Sequence, residues 1–186
     1  MFELNANSPK PVGFFDRIYP LSDNAELMFR AVRLFNKALS QGRFAKIKRQ
    51  FTRTPGELLN LDKMPGLSVR VSYYGGLHVV PLKKIRGSLG RVTDFDCDFH
   101  PRTERLRDRW QSVAMAYLHN IGLQPVELIQ VGDEYFVQDG HHRISVAHTL
   151  GQVAIDAEVI VWDLHPSRQK VTQPVGSYSR AAHNFS

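Results

Sequence analysis

The chain reads as an α+β protein, a small mixed sheet with packed helices. Three observations predict this. Apolar residues recur at helical spacing over 24–40 (Leu27, Met28, Ala31, Leu34, Phe35, Ala38) and 104–120 (Leu106, Trp110, Val113, Ala114, Tyr117, Leu118). Runs rich in strand formers, bounded by turn residues, stand at 67–74, 77–82, 126–131, 135–137 and 155–162. Between the last two lies a strand-to-helix turn, Asp139-Gly140-His141-His142-Arg143, with polar residues crowded on it.

The composition bounds the classes of function. With 186 residues the chain fits one domain, or one domain with an appendage. Hydrophobic residues make up 42% and charged residues 23%, so a packed core is expected. The single Cys97 excludes an intramolecular disulfide and a cysteine zinc cluster. No apolar run is long enough to cross a membrane, and the first residues lack the pattern of a signal peptide. A cytoplasmic protein is expected. The net charge is +6, and its distribution matters more than its size. From Ser22 to Arg53 eight basic residues face only Asp23 and Glu26, so this segment carries the whole excess. Any long-range attraction for nucleic acid resides there.

Taken in order, residues 1–20 hold Pro9, Pro11 and Pro20 and read as an extended arm, packing through Phe14, Phe15 and Tyr19. Asp23 and Glu26 have capping-box spacing and start a helix over 24–40, which Gly42 is expected to end. A second helical set follows, Phe44, Ile47 and Phe51, with Lys46, Lys48 and Arg49 between. These three cations are the candidate nucleic-acid contacts, although a solvated helix face has the same pattern. No helix-turn-helix turn joins the two segments, so base-specific reading is not expected. Thr54-Pro55-Gly56-Glu57 repeats helix-start chemistry and predicts a short helix through Leu61. Residues 67–82 predict a hairpin turning at Gly75-Gly76. Arg86 to Arg91 reads as a glycine-rich basic loop.

Asp94, Asp96 and Asp98 come next, at every second position. If extended they point the same way and repel, which a metal ion or a basic cluster relieves. Asp96 and Asp98 are therefore candidate Mg²⁺ ligands and candidate catalytic bases. Ion pairing with nearby arginines is the structural alternative. After the helix over 104–120, Leu123-Gln124-Pro125 turns into the strand 126–131, and Gly132-Asp133 makes a hairpin. The apolar spacing of Ile144, Ala147 and Leu150 starts a helix at the next turn, and Gly151 ends it. A helix N-terminus offers free N–H groups and partial positive charge to a phosphate, and Gly140 lets a ligand approach the backbone. Arg143, His141 and His142 add charge and donors. The same residues also suit a plain cap with solvated histidines. Residues 165–186, rich in Pro, Ser, Gln, Gly and Arg, read as a flexible tail.

The order of these elements from Leu77 to Trp162 resembles the ParB/sulfiredoxin-like superfamily. The likeness is carried by Pro81-Leu82, Pro101-Arg102, Gly122-Leu123-Gln124-Pro125-Val126, Asp139-Gly140-His141-His142-Arg143 and Leu150-Gly151. It implies a ParB/sulfiredoxin-like core over 67–164, preceded by an N-terminal arm and basic helices over 1–66 and followed by the tail 165–186. It also implies that Gly140, His141, His142 and Arg143, with Arg102, hold the phosphates of ATP, ADP or CTP with Mg²⁺. The sulfiredoxin branch carries a reactive cysteine where His141 stands here, so that chemistry is not expected. The chromosome-partitioning branch adds a helix-turn-helix DNA domain, which is not expected in the tail. The turn is most similar to that of the free serine kinase branch. That branch uses a glutamate base after its first strand, and this region offers Asp94, Asp96 and Asp98 instead. Two functions follow as expectations. One is a Mg²⁺-dependent phosphotransferase or nucleotide hydrolase, with Asp96, Asp98 and His141 catalytic and Asp139 orienting a histidine or touching substrate. The other is a module without turnover that senses a nucleotide or binds nucleic acid. The expected partners are a nucleotide, DNA at the basic helices and a second copy of the chain.

Overall fold

The computed structural model describes residues 21–64 and 67–166. It is an α+β fold, with a six-stranded mixed sheet and three helices. The elements in chain order are α1 (Leu21–Thr52), β1 (Leu59–Asn60), β2 (Leu67–Pro81), β3 (Ile85–Ser88), α2 (Arg107–Leu118), β4 (Val126–Val131), β5 (Glu134–Asp139), α3 (His141–Thr149) and β6 (Ala154–Pro166). The strand order is β1-β3-β5-β4-β6-β2. The pairs β1/β3, β3/β5 and β4/β6 are parallel, and β4/β5 and β2/β6 are antiparallel. The hairpin at Gly132-Asp133 forms as its sequence predicts, with Val131 opposite Glu134.

The three helices pack side by side, α1 on α2 and α2 on α3. Trp110 of α2 is the pivot of this layer. It is fully buried and meets Phe35 of α1 edge-on, with ring centroids 5.5 Å apart. Its indole N–H donates to Ser145 Oγ of α3 at 2.9 Å. Ala31, Phe35, Ala38 and Leu39 of α1 thus join the core formed by Val126, Leu128, Val137, Ile144 and Val159. The boundary drawn from sequence at residue 66 is crossed by this core and by β1, which pairs in the same sheet.

Four local expectations are corrected. Gly42 does not end the first helix, because α1 runs through it to Thr52. A Cβ there would lie 3.0 Å from His100 Cβ and 3.3 Å from the Pro101 carbonyl oxygen, so the glycine is a notch that seats a loop. Thr54 starts no helix. Glu57 instead makes a bridge with Asp96, and β1 follows. Gly75-Gly76 is no hairpin turn. It lies at a register shift inside one long strand, β2, whose partner is β6 rather than its own second half. The first half of the expected basic loop, Arg86–Ser88, belongs to strand β3, in which Arg86 pairs with Glu134, while residues 89–91 are outside any strand as expected. Each error has one origin: glycine and capping signals are local, whereas the partner that keeps the chain extended or helical is distant in sequence. The arm 1–20 and residues 167–186 of the expected tail lie outside the described residues.

Replacing Phe35 by Ala removes a fully buried ring at the α1–α2 contact and is expected to cost about 3–5 kcal/mol. Urea unfolding followed by both circular dichroism and tryptophan fluorescence should show a single transition, displaced equally in both signals. An unmoved transition would mean that α1 does not share the core.

Candidate functional site

The turn Asp139–Arg143 closes β5 and starts α3, as the sequence predicts. Gly140 occupies the N-cap position with φ 103° and ψ 18°, a left-handed conformation that L side chains rarely take. A Cβ at Gly140 would also sit 2.5 Å from Val126 Cγ1, so the position is closed by both conformation and space. The first helical hydrogen bond runs from the Ile144 N–H to the Gly140 carbonyl at 3.0 Å, and no side chain caps the amides before it. This leaves the N–H groups of the first turn directed out of the helix end.

A cavity of about 310 Å³ lies over this helix start, walled by the turn, Leu123-Gln124, Val113 and two arginines, Arg91 and Arg109. Sequence reasoning missed both arginines. Arg91, in the basic loop, and Arg109, in the helix over 104–120, were expected only among the arginines that could pair with the aspartate trio, not beside the turn. The available signal for Arg109 was its spacing of four from Val113, which puts both on one helix face. Arg91 and Arg109 are exposed and have no hydrogen bond or ion pair among the described residues.

The four polar residues of the turn differ in what they can do. Arg143 is half-used. Its Nη1 donates to the carbonyls of Gln124 and Pro125 at 2.5 and 2.7 Å, and its Nη2 to Asp139 at 2.7 Å. It therefore pins the α2–β4 loop to the turn. His141 is buried, with Nε2 at 2.6 Å from Ser88 Oγ. With Ser88 donating to the Val137 carbonyl at 3.2 Å, His141 donates through Nε2–H, and the chain of bonds ties α3 to β3 and β5. His142 is also buried and lines the cavity. Its Nδ1 has no hydrogen-bond partner among the described residues. Phe95 lies against both rings, parallel to His141 with centroids 6.2 Å apart and edge-on to His142 at 5.3 Å.

Both histidines are held neutral. Burial pushes the pKa of each down to about 4, and the positive charge of Arg91 on His141 and of Arg109 on His142 adds to the effect. Asp94 and Asp139 oppose this shift without reversing it.

The aspartate trio is dispersed rather than aligned. Asp94 pairs with Arg105. Asp96 is buried and accepts from the N–H groups of Asp98 and His100 at 3.0 and 2.8 Å. It also lies 3.1 Å from His100 Nδ1 and accepts from Arg49 Nη1 at 3.0 Å. Asp98 pairs with the other end of the same guanidinium. Burial raises the Asp96 pKa, but the bonds from His100 and Arg49 outweigh it and hold the carboxyl below its usual range. Asp96, Asp98 and His100 bring ligand atoms within 4.8 Å of one another. Arg49 already supplies positive charge to that group, and both Asp96 oxygens are engaged, so the donors do not fit Mg²⁺ while Arg49 is in place.

Two further sequence-named residues are placed elsewhere than expected. Arg49 is no outward contact, since only 15% of its side chain is exposed and it is spent on Asp96 and Asp98. Arg102 does not reach the turn. It lies near Glu57, 3.7 Å away, in a separate cavity. Lys46 and Lys48 are exposed, as expected of a basic helix face. Asp96 and Asp98 line no part of the cavity at the turn.

No family model matches the chain, and no curated protein matches it. Among solved structures the chain is similar to sulfiredoxin from Arabidopsis thaliana, at 26% identity and a TM-score of 0.34, over 45% of this chain and 82% of that one. No described helix is long and apolar enough to cross a membrane.

Two measurements check the geometry of the turn. Gly140→Ala combines backbone strain with overlap on Val126 and should cost about 2–4 kcal/mol in urea unfolding. The buried histidines set an acid limit. Their folded pKa lies below the unfolded value of 6.5, so the unfolded chain binds protons first, and stability falls as pH drops from 6.5 toward 4. Each contributes up to about 1.4 kcal/mol per pH unit, and His142→Gln should reduce that slope in part, since burial also lowers the pKa of His148. A stability profile that is flat from pH 6.5 to 4 would contradict this.

Proposed function

We propose that the chain binds a nucleotide, with its phosphates over the N-terminus of α3. The observation that carries this reading is the pair of unpaired arginines, Arg91 and Arg109, standing beside an uncapped helix start. Neither guanidinium has an ion-pair partner among the described residues, and their charge adds to burial in holding the two histidines neutral. A di- or triphosphate supplies the compensation, accepting from first-turn N–H groups and from both guanidinium groups. Neutral His142 adds a donor or acceptor whose Nδ1 is unsatisfied.

The same geometry supports binding ahead of turnover. The carboxylate lining the cavity is Asp139, which is held by Arg143. His141 is committed to Ser88. Asp139 is the one carboxylate lining the cavity, so Mg²⁺ would enter mainly on the phosphates of the nucleotide.

Calorimetry with ATP, ADP and CTP, with and without Mg²⁺, tests the reading. Arg91→Gln with Arg109→Gln removes two exposed side chains without touching the core. It should weaken binding about 10- to 100-fold, as expected for the loss of charge-assisted bonds. Arg143→Ala is a poor probe, because it also frees the loop at Gln124-Pro125. Absence of heat and of any thermal shift with all three nucleotides would overturn the proposal.

A further inference from the structure

A second cavity lies beside the loop 94–102. It measures about 530 Å³ and is formed by the second half of α1, the segment 54–57 and the loop around Pro101. Arg43, Lys46, Arg49, Arg53 and Arg102 line it, against Glu57 and Asp96. Arg49 is consumed by Asp96 and Asp98. Arg43 and Arg102 have only loose partners, Glu104 at 3.6 Å and Glu57 at 3.7 Å. Lys46 and Arg53 have none among the described residues.

Arg53 carries a second sign. It follows the last residue of α1 with φ 53°, in the left-handed region where a helix usually places glycine. An arginine there accepts backbone strain that glycine avoids, which puts a long cationic side chain at the cavity mouth.

The spacing of the cations selects the ligand. Arg43, Lys46 and Arg53 recur along one face of α1 and its end, over about 15 Å at 1.5 Å per residue. A free diphosphate holds its charges together and meets one end of this row. A single nucleic-acid strand carries one phosphate per nucleotide and follows its whole length. A duplex is bound by an element that enters its groove, whereas these cations face into a cleft. We propose that this cavity binds the phosphate backbone of single-stranded nucleic acid, at a site separate from the α3 turn.

The test uses the full chain and a short fluorescent oligothymidylate, with anisotropy read across a salt series. Lys46→Gln combined with Arg53→Asn is the informative variant, since asparagine tolerates the left-handed conformation and both side chains lie outside the core. It should weaken binding at least about tenfold at low salt. It should also shrink the slope of log affinity against log salt by about 1.4, or about 0.7 for each cation removed. Lys48→Gln, exposed but outside the cavity, should change the affinity less than twofold. The pair Arg91→Gln and Arg109→Gln should leave the strand bound, which separates this site from the turn. The proposal is overturned by an unchanged slope in the Lys46/Arg53 variant, by an equal loss on Lys48→Gln, by tighter binding of a duplex of the same length, or by pyrophosphate binding as tightly as the strand.

Discussion

The Asp96 carboxylate anchors the segment that separates the two cavities. Buried between α1 and the loop 94–102, it would cost several kcal/mol if left unpaired. Two amides, the His100 ring and Arg49 satisfy it, and together they hold it ionised. The pairing requires α1 to reach Arg49 as continuous helix. Gly42 permits this by letting His100 and Pro101 lie against the helix one and a half to two turns earlier. The loop is then fixed with Asp96 on one side and Phe95 on the other, where Phe95 seals the two histidines of the turn.

The division of labour among arginines follows from the same constraint. Those engaged by several carbonyl or carboxylate oxygens, Arg49 and Arg143, are part of the framework. Arg91, Arg109 and Arg53, which have no side-chain partner among the described residues, line the two cavities together with Lys46. Planar guanidinium groups serve the first role because each can bridge two acceptors at once. Arg49 spans Asp96 and Asp98, and Arg143 spans two carbonyls and Asp139.

Much of the second half of the chain was legible in the sequence because its signals are local. The helix over 104–120, the Gly132-Asp133 hairpin and the helix start at Gly140 each depend on neighbours within a few residues. The first half was less legible. Gly42, Thr54-Pro55-Gly56-Glu57 and Gly75-Gly76 all carry turn or cap chemistry, yet His100, Asp96 and β6 override them from far along the chain. The candidate site divides in the same way. Gly140, His141, His142 and Arg143 were found because they are contiguous. Arg91 and Arg109 come from separate segments and converge only in three dimensions. Arg102 was carried to the turn by its neighbour Pro101 in the family likeness, and the loop turns it toward Glu57 instead.

Alternation along a single short segment has one more consequence. Phe95 and Asp96 are adjacent residues facing opposite sides, each in a bridge that keeps the backbone extended. The aromatic ring touches the histidines of the turn, and the carboxylate holds the guanidinium that lines the other cavity. An anion that draws Arg49 away from Asp96 would disturb the segment against which His141 and His142 are packed. By thermodynamic reciprocity, whatever factor one ligand imposes on the affinity of the other is returned in equal measure. One peptide unit thus touches the histidines of the turn on one side and the arginine of the second cavity on the other.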